Sequence, residues 1–270
     1  MKQKKIACFF SGGYTELNAM IKFMMKINKD IEYVQLCPRG PRKSAAAIKS
    51  RELASIDKSM NGKTGESLIR FVLDFIETKR FDEEKYDAIL IEDDKDDRFL
   101  SVESEGYSTI DRQSWNEYQE KLLIKIGSKR PNIPVFIMLA APEVEAWFLA
   151  DWENSFGNVY EEKLGKKQNK QFKYQFHQFV NQKILTDRYR SDLENYGYFN
   201  KSYHKLSEEI QKALLTNRFL YETDNSEEIS VTYSKRNEGS RMLSTIEPDH
   251  VEKRCTYFFK EAYLQLKNFR

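Results

Sequence analysis

The residues of this chain best suited to chemistry lie in one run, Glu92-Asp93-Asp94-Lys95-Asp96-Asp97, where four Asp and one Glu occupy six positions. So many carboxylates repel one another unless water or a cation neutralises them. A hard divalent ion such as Mg²⁺ is typically held by one or two carboxylates while it keeps several waters. The run directly follows the apolar segment Ala88 to Ile91, which reads as a strand ending in an acidic turn. If that turn is extended, alternate residues point the same way. Asp94 and Asp96 are therefore the favoured metal ligands, and Asp93 is a further candidate. The competing reading is a solvated acidic loop in which Asp93 or Asp97 caps a helix.

Other candidates gather at the ends of neighbouring strands. Glu143 and Glu145 lie just past the apolar run Val135 to Leu139. They suit second ligands or a general base that activates water on a metal, and favourable charge at a helix N-terminus explains them equally well. Asp151, a little further on, reads as a local cap or surface residue. Arg39, Arg42 and Lys43 follow the strand Ile31 to Cys37 and suit phosphate, although a solvated basic loop has the same composition. Lys163 to Lys183 mixes Lys and Gln with Phe172, Phe176 and Phe179. Such a mixture fits a single-strand surface, but the Phe spacing is mostly what a packed helix needs.

The elements that position these residues alternate. Ile6 to Phe10 is a buried strand stopping at Ser11-Gly12-Gly13, and Leu17, Met20, Ile21, Met24 and Met25 share one helical face. Ile31 to Cys37 is a second strand, Glu66 to Lys79 a helix, Tyr86 to Ile91 a third strand, Ser114 to Ile126 a helix and Val135 to Leu139 a fourth strand. An order βαβαβαβ implies an α/β fold with a mostly parallel sheet covered by helices. Ligands of such sheets sit outside the carboxyl ends of the strands, so the turns after each strand form one shared surface. Residues 1–156 are expected to form this core and 157–270 a mainly helical C-terminal region, with helices over Tyr203 to Leu215 and Pro248 to Phe269.

At 270 residues and 40% hydrophobic content the chain can build a real core. Lys plus Arg (44) nearly balances Asp plus Glu (42), so any nucleic-acid surface must come from local clustering. Cys8, Cys37 and Cys255 are scattered, which argues against a disulfide framework or a zinc ribbon and fits a reducing compartment. No signal peptide or membrane-spanning run is visible, so the protein is expected in the cytoplasm. Asn61-Gly62-Lys63-Thr64 imitates the tail of a P-loop but lacks its first glycine, where Asp57 stands. His177, His204 and His250 lack the spacing of a zinc site, and no Gly-x-Ser-x-Gly elbow occurs.

Three segments together resemble the TOPRIM superfamily, and more narrowly a bacterial TOPRIM-like family encoded beside ATPases in phage-defence loci. They are Gly12-Gly13-Tyr14-Thr15-Glu16, similar to Glu-Gly-x-Thr-Glu; Ile89-Leu90-Ile91-Glu92-Asp93-Asp94-Lys95-Asp96, similar to a strand-borne Asp-x-Asp; and Pro142-Glu143-Val144-Glu145-Ala146-Trp147-Phe148-Leu149-Ala150-Asp151, similar to Glu-x-Glu-Ala-Trp-x-x-x-Asp. The resemblance implies a TOPRIM-like metal-binding core and a nuclease cutting DNA or RNA with Mg²⁺ or Mn²⁺. It also implies nucleic acid and an ATPase as partners, with homo-oligomerisation open. The superfamily's catalytic Glu after the first strand aligns here with Ser11 or Gly12. Either Glu16 reaches in, Glu143 or Glu145 substitutes, or the site binds metal without cutting; the alternative to a nuclease is a catalytically degenerate sensor or interaction subunit of a defence complex. Ser11-Gly12-Gly13 is also similar to the Ser-Gly-Gly-x-Asp-Ser of ATP pyrophosphatases, with Thr15-Glu16 in place of Asp-Ser.

Overall fold

A computed structural model describes residues 3–12, 19–38, 63–216, 220–222 and 228–270. The described chain runs β1 (Lys4–Phe10), α1 (Ala19–Ile27), β2 (Ile31–Cys37), α2 (Gly65–Ile76), α3 (Lys79–Glu84), β3 (Ala88–Asp94), β4 (Leu100–Val102), β5 (Ser108–Ile110), α4 (Arg112–Lys129), β6 (Val135–Ala140), α5 (Glu145–Ala150), α6 (Glu161–Phe179), α7 (Thr186–Tyr189), β7 (Tyr198–Phe199), β8 (Ser202–Tyr203), α8 (Leu206–Thr216), β9 (Leu220–Glu222), β10 (Glu228–Ser230), α9 (Ser240–Thr245), α10 (Pro248–Val251) and α11 (Phe258–Asn268). Two compact units result, one of Met1–Asp94, Arg112–Leu139 and Glu261–Arg270, the other of Lys95–Asp111 and Ala140–Lys260. Among the described residues no helix is long and apolar enough to cross a membrane.

The first unit is built on a four-stranded parallel sheet in the order β2-β1-β3-β6. The α/β class expected from the alternation is thus observed. Ile6 to Phe10 of β1 are fully buried, as a central strand covered on both faces requires. Phe9 meets Phe71 and Phe75 of α2 edge-on, with ring centroids 6.1 and 5.7 Å apart. The buried Phe9 and Phe75 each contribute about 1.5–3 kcal/mol. Because β2 lies on one side of β1 and β3 on the other, the strand order reverses between β1 and β3. In open parallel sheets, ligands sit outside the carboxyl ends of the strands at such a reversal.

The helix expected over Glu66 to Lys79 divides. Its first part ends at Ile76, and Thr78 restarts the chain by accepting a hydrogen bond from the Phe81 amide at 3.4 Å.

Among the described residues the second unit combines helices with three antiparallel strand pairs, β4 with β5, β7 with β8 and β9 with β10. Its core is aromatic. Trp152 stacks on Phe156 at 5.3 Å, and Phe172 stacks on Phe176 at 5.4 Å. The helix expected over Pro248 to Phe269 is broken into α10 and α11. Glu194 supplies the reason, since its carboxylate accepts the Tyr257 amide at 2.5 Å and the Phe259 amide at 2.9 Å, capping a new helix start.

Candidate functional site

In the first unit the carboxyl ends of β1 and β3 are joined by strand pairing. Phe10 is in register with Glu92, and the Ser11 amide donates to the Glu92 carbonyl at 2.8 Å, carrying the pairing one residue further. The Ser11 amide also reaches the Glu92 carboxylate, Oε2, at 3.3 Å, while the Ser11 hydroxyl accepts the Asp94 amide at 3.2 Å. These bonds keep β3 extended as far as Asp94. The first half of the acidic run is therefore strand, not turn. Glu92 and Asp93 are buried, and Asp94 is half-buried.

This changes which carboxylates align. Along β3 alternate residues share a face, so Glu92 goes with Asp94 and Asp93 points the other way. Asp93 caps a helix, accepting the Gly65 amide at the start of α2 at 3.0 Å. The alternation expected to bring Asp94 and Asp96 together stops at the end of the strand, because Asp96 adopts the left-handed conformation with φ 51°.

Gly12 ends the extended segment of β1 with φ 83°, a conformation that favours glycine. Glu16, Arg39, Arg42 and Lys43, expected on the same surface, lie outside the described residues.

The second unit begins with the rest of the acidic run. Asp96 pairs with Lys205 at 3.6 Å. Lys95 is fully buried, and its Nζ donates to the carbonyls of Asp96 at 3.1 Å and Arg98 at 3.3 Å, closing the turn from inside. Burial drives its pKa down to about 7 against the attraction of Glu194. Its position amid carboxylates reads as surface charge in the sequence, and nothing local signals the burial.

Glu143 and Glu145 also belong to this unit and form a polar cluster in it. Both are buried. Glu143 accepts the Ser207 amide at 3.0 Å, the Ser207 hydroxyl at 3.0 Å and Lys235 Nζ at 3.1 Å. Glu145 accepts the Tyr233 hydroxyl at 2.6 Å on Oε1, while Oε2 faces Lys235 Nζ at 3.6 Å and has no hydrogen-bond donor among the described residues. One ammonium thus serves two carboxylates. Burial works to raise the pKa of Glu143, but Lys235 and Ser207 outweigh it and hold the group below the ordinary carboxylate range. Burial, reinforced by the charge of Glu143, raises that of Glu145 despite Lys235. Burial and the shared lysine thus move the two carboxyl groups in opposite directions.

The rest of the Glu-x-Glu-Ala-Trp segment is structural. Trp147 is buried edge-on against Phe259 at 5.1 Å. Asp151 is a buried anchor. It accepts His250 Nδ1 at 2.9 Å, the Glu247 amide at 2.7 Å and Asn154 Nδ2 at 3.0 Å. His250 therefore has a specific partner that its position in the sequence does not reveal.

Among the described residues no group of three or more His, Cys, Asp or Glu side chains is arranged to hold a metal ion. The carboxylates that share one face of β3 are Glu92 and Asp94. No family model, curated protein or solved structure matches the chain.

Proposed function

We propose that this chain is a metal-dependent nuclease that hydrolyses phosphodiester bonds of DNA or RNA, and that it serves anti-phage defence with a partner ATPase. The observation that carries this reading is the extension of β3 through Asp94, which puts Glu92 and Asp94 on one face beside the strand-order reversal. Glu92 and Asp94 would hold Mg²⁺ or Mn²⁺, and the ion, when bound, supplies an activated water and neutralises charge on the phosphate. The chain's own residues do the positioning. Ser11 fixes the Glu92 carboxylate and the Asp94 backbone, so neither must be ordered at the moment of reaction. In this reading Arg39, Arg42 and Lys43 steady the anionic backbone.

The experiment is cleavage of labelled DNA and RNA with Mn²⁺ by wild type, Glu92→Gln, Asp94→Asn and Asp96→Ala. Loss of roughly a hundredfold or more is expected for the first two variants, with cutting retained by Asp96→Ala. Undiminished cutting by Asp94→Asn would remove the assignment.

A second reading has its own observation. Ser11 and Gly12 stand where the resembled family carries its first Glu, and Ser11 is spent on hydrogen bonds to β3. This favours a degenerate interaction subunit that binds a partner without cutting. Wild-type protein that cleaves nothing and whose thermal stability ignores Mn²⁺ would establish it over the first.

A further inference from the structure

The stretch from 163 to 186 contains six Lys and neither Asp nor Glu. In the sequence its basic and aromatic signals overlap, and α6 separates them by face. Phe172 and Phe176 are fully buried, whereas Lys166, Lys167, Lys170, Gln171, Tyr174 and Gln178 are exposed. Gly165, at φ 74°, interrupts the helix, so the regular run begins at Lys166. From there Lys166, Lys170, Tyr174 and Gln178 recur every fourth residue and form one ridge, advancing about 6 Å per step.

Tyr174 is 64% exposed, and its hydroxyl accepts Gln178 Nε2 at 2.8 Å. A large ring this open contributes little to the core. Lys173, on the flank, is paired with Glu153, while no ion pair with a described residue engages Lys166, Lys167 or Lys170.

We propose that this ridge of the second unit binds single-stranded nucleic acid, with Lys166, Lys167 and Lys170 tracking phosphates and Tyr174 stacking on a base. Cationic side chains follow a backbone of any sequence, and an exposed aromatic ring adds a platform for an unstacked base. An acidic peptide would use the lysines but leave the ring without a role. A duplex would do the same, since its bases are already stacked. The inference rests on α6 alone and does not depend on the cleavage reading.

The test is fluorescence anisotropy of a labelled 20-nucleotide single strand (about 20 nucleotides spans more than one typical site) with the full chain in EDTA, where metal-dependent cleavage cannot intervene. Reversal of three charges, Lys166→Glu with Lys167→Glu and Lys170→Glu, is expected to weaken binding at least tenfold (~10-fold) and to flatten its salt dependence by about 2 in log–log slope. Tyr174→Ala is expected to weaken it about fivefold or more, and Tyr174→Phe to retain it. Lys121→Glu with Lys125→Glu, on exposed positions of α4, controls for net charge when each effect is taken per charge reversed. Circular dichroism confirms that each variant keeps its helix content. The proposal is overturned if wild type does not bind, if the α4 control weakens binding as much, if Tyr174→Ala has no effect, or if a duplex of the same length binds as tightly. A protein that binds here and cuts nothing supports this surface and contradicts only the nuclease reading.

Discussion

Replacing Lys235 by Met removes the ammonium that lies 3.1 Å from Glu143 and 3.6 Å from Glu145. Two buried carboxylates are then left without their shared cation. Breaking a fully buried pair costs roughly 3–5 kcal/mol. Lys235 keeps 37% of its side chain in solvent, so about 2 kcal/mol is expected, read from chemical denaturation. Glu194 gives a separate prediction at this scale. Burial raises its pKa to about 8 from an ordinary 4.5, against the pull of the Phe259 and Tyr257 amides. Between those two values the folded chain keeps a proton that the unfolded chain has released, so this group lowers stability as pH rises through the window. Glu194→Gln should therefore show a flatter stability profile between those pH limits than wild type. Glu143 and Glu145 are legible in the sequence because they follow an apolar strand directly. Their partners Ser207, Tyr233 and Lys235 are not, being 64, 88 and 92 residues away along the chain.

At the scale of elements, Asp93 and Gly157 each hold a junction. Asp93→Ala removes the acceptor for the first amide of α2, and a loss of about 1 kcal/mol is expected, as for other helix caps. A methyl group at Gly157 would lie 2.8 Å from the Glu153 carbonyl and 2.9 Å from that of Trp152, both backbone atoms. Gly157→Ala should then cost about 1–3 kcal/mol in a thermal or denaturant melt. The four strands of the sheet were legible because continuous apolar runs mark buried parallel strands, as Ile6 to Phe10 and Ala88 to Ile91 do. The end of β3 was not. Apolarity stops at Ile91, whereas hydrogen bonds from Ser11 keep the strand extended through Asp94. Hairpins such as β4 with β5 went unseen for a different reason, since strands of three residues carry too little alternation to read.

Across the whole molecule the two units exchange chain at Asp94/Lys95, Asp111/Arg112, Leu139/Ala140 and Lys260/Glu261. Composition marks none of these crossings, because each falls inside or beside a regular element and not in a linker. The acidic run spans the first of them, so one sequence feature becomes two structural ones. Glu92 to Asp94 complete a strand of the parallel sheet, and Lys95 to Asp97 begin a turn closed by a buried lysine. We propose that the strand portion holds a divalent cation. Calorimetric titration of Mn²⁺ into wild type, Glu92→Gln, Asp94→Asn and Asp96→Ala tests it most directly. Saturable binding to wild type and Asp96→Ala, lost in Glu92→Gln and Asp94→Asn, is the predicted result; binding unchanged in Asp94→Asn, or absent from wild type, would contradict it.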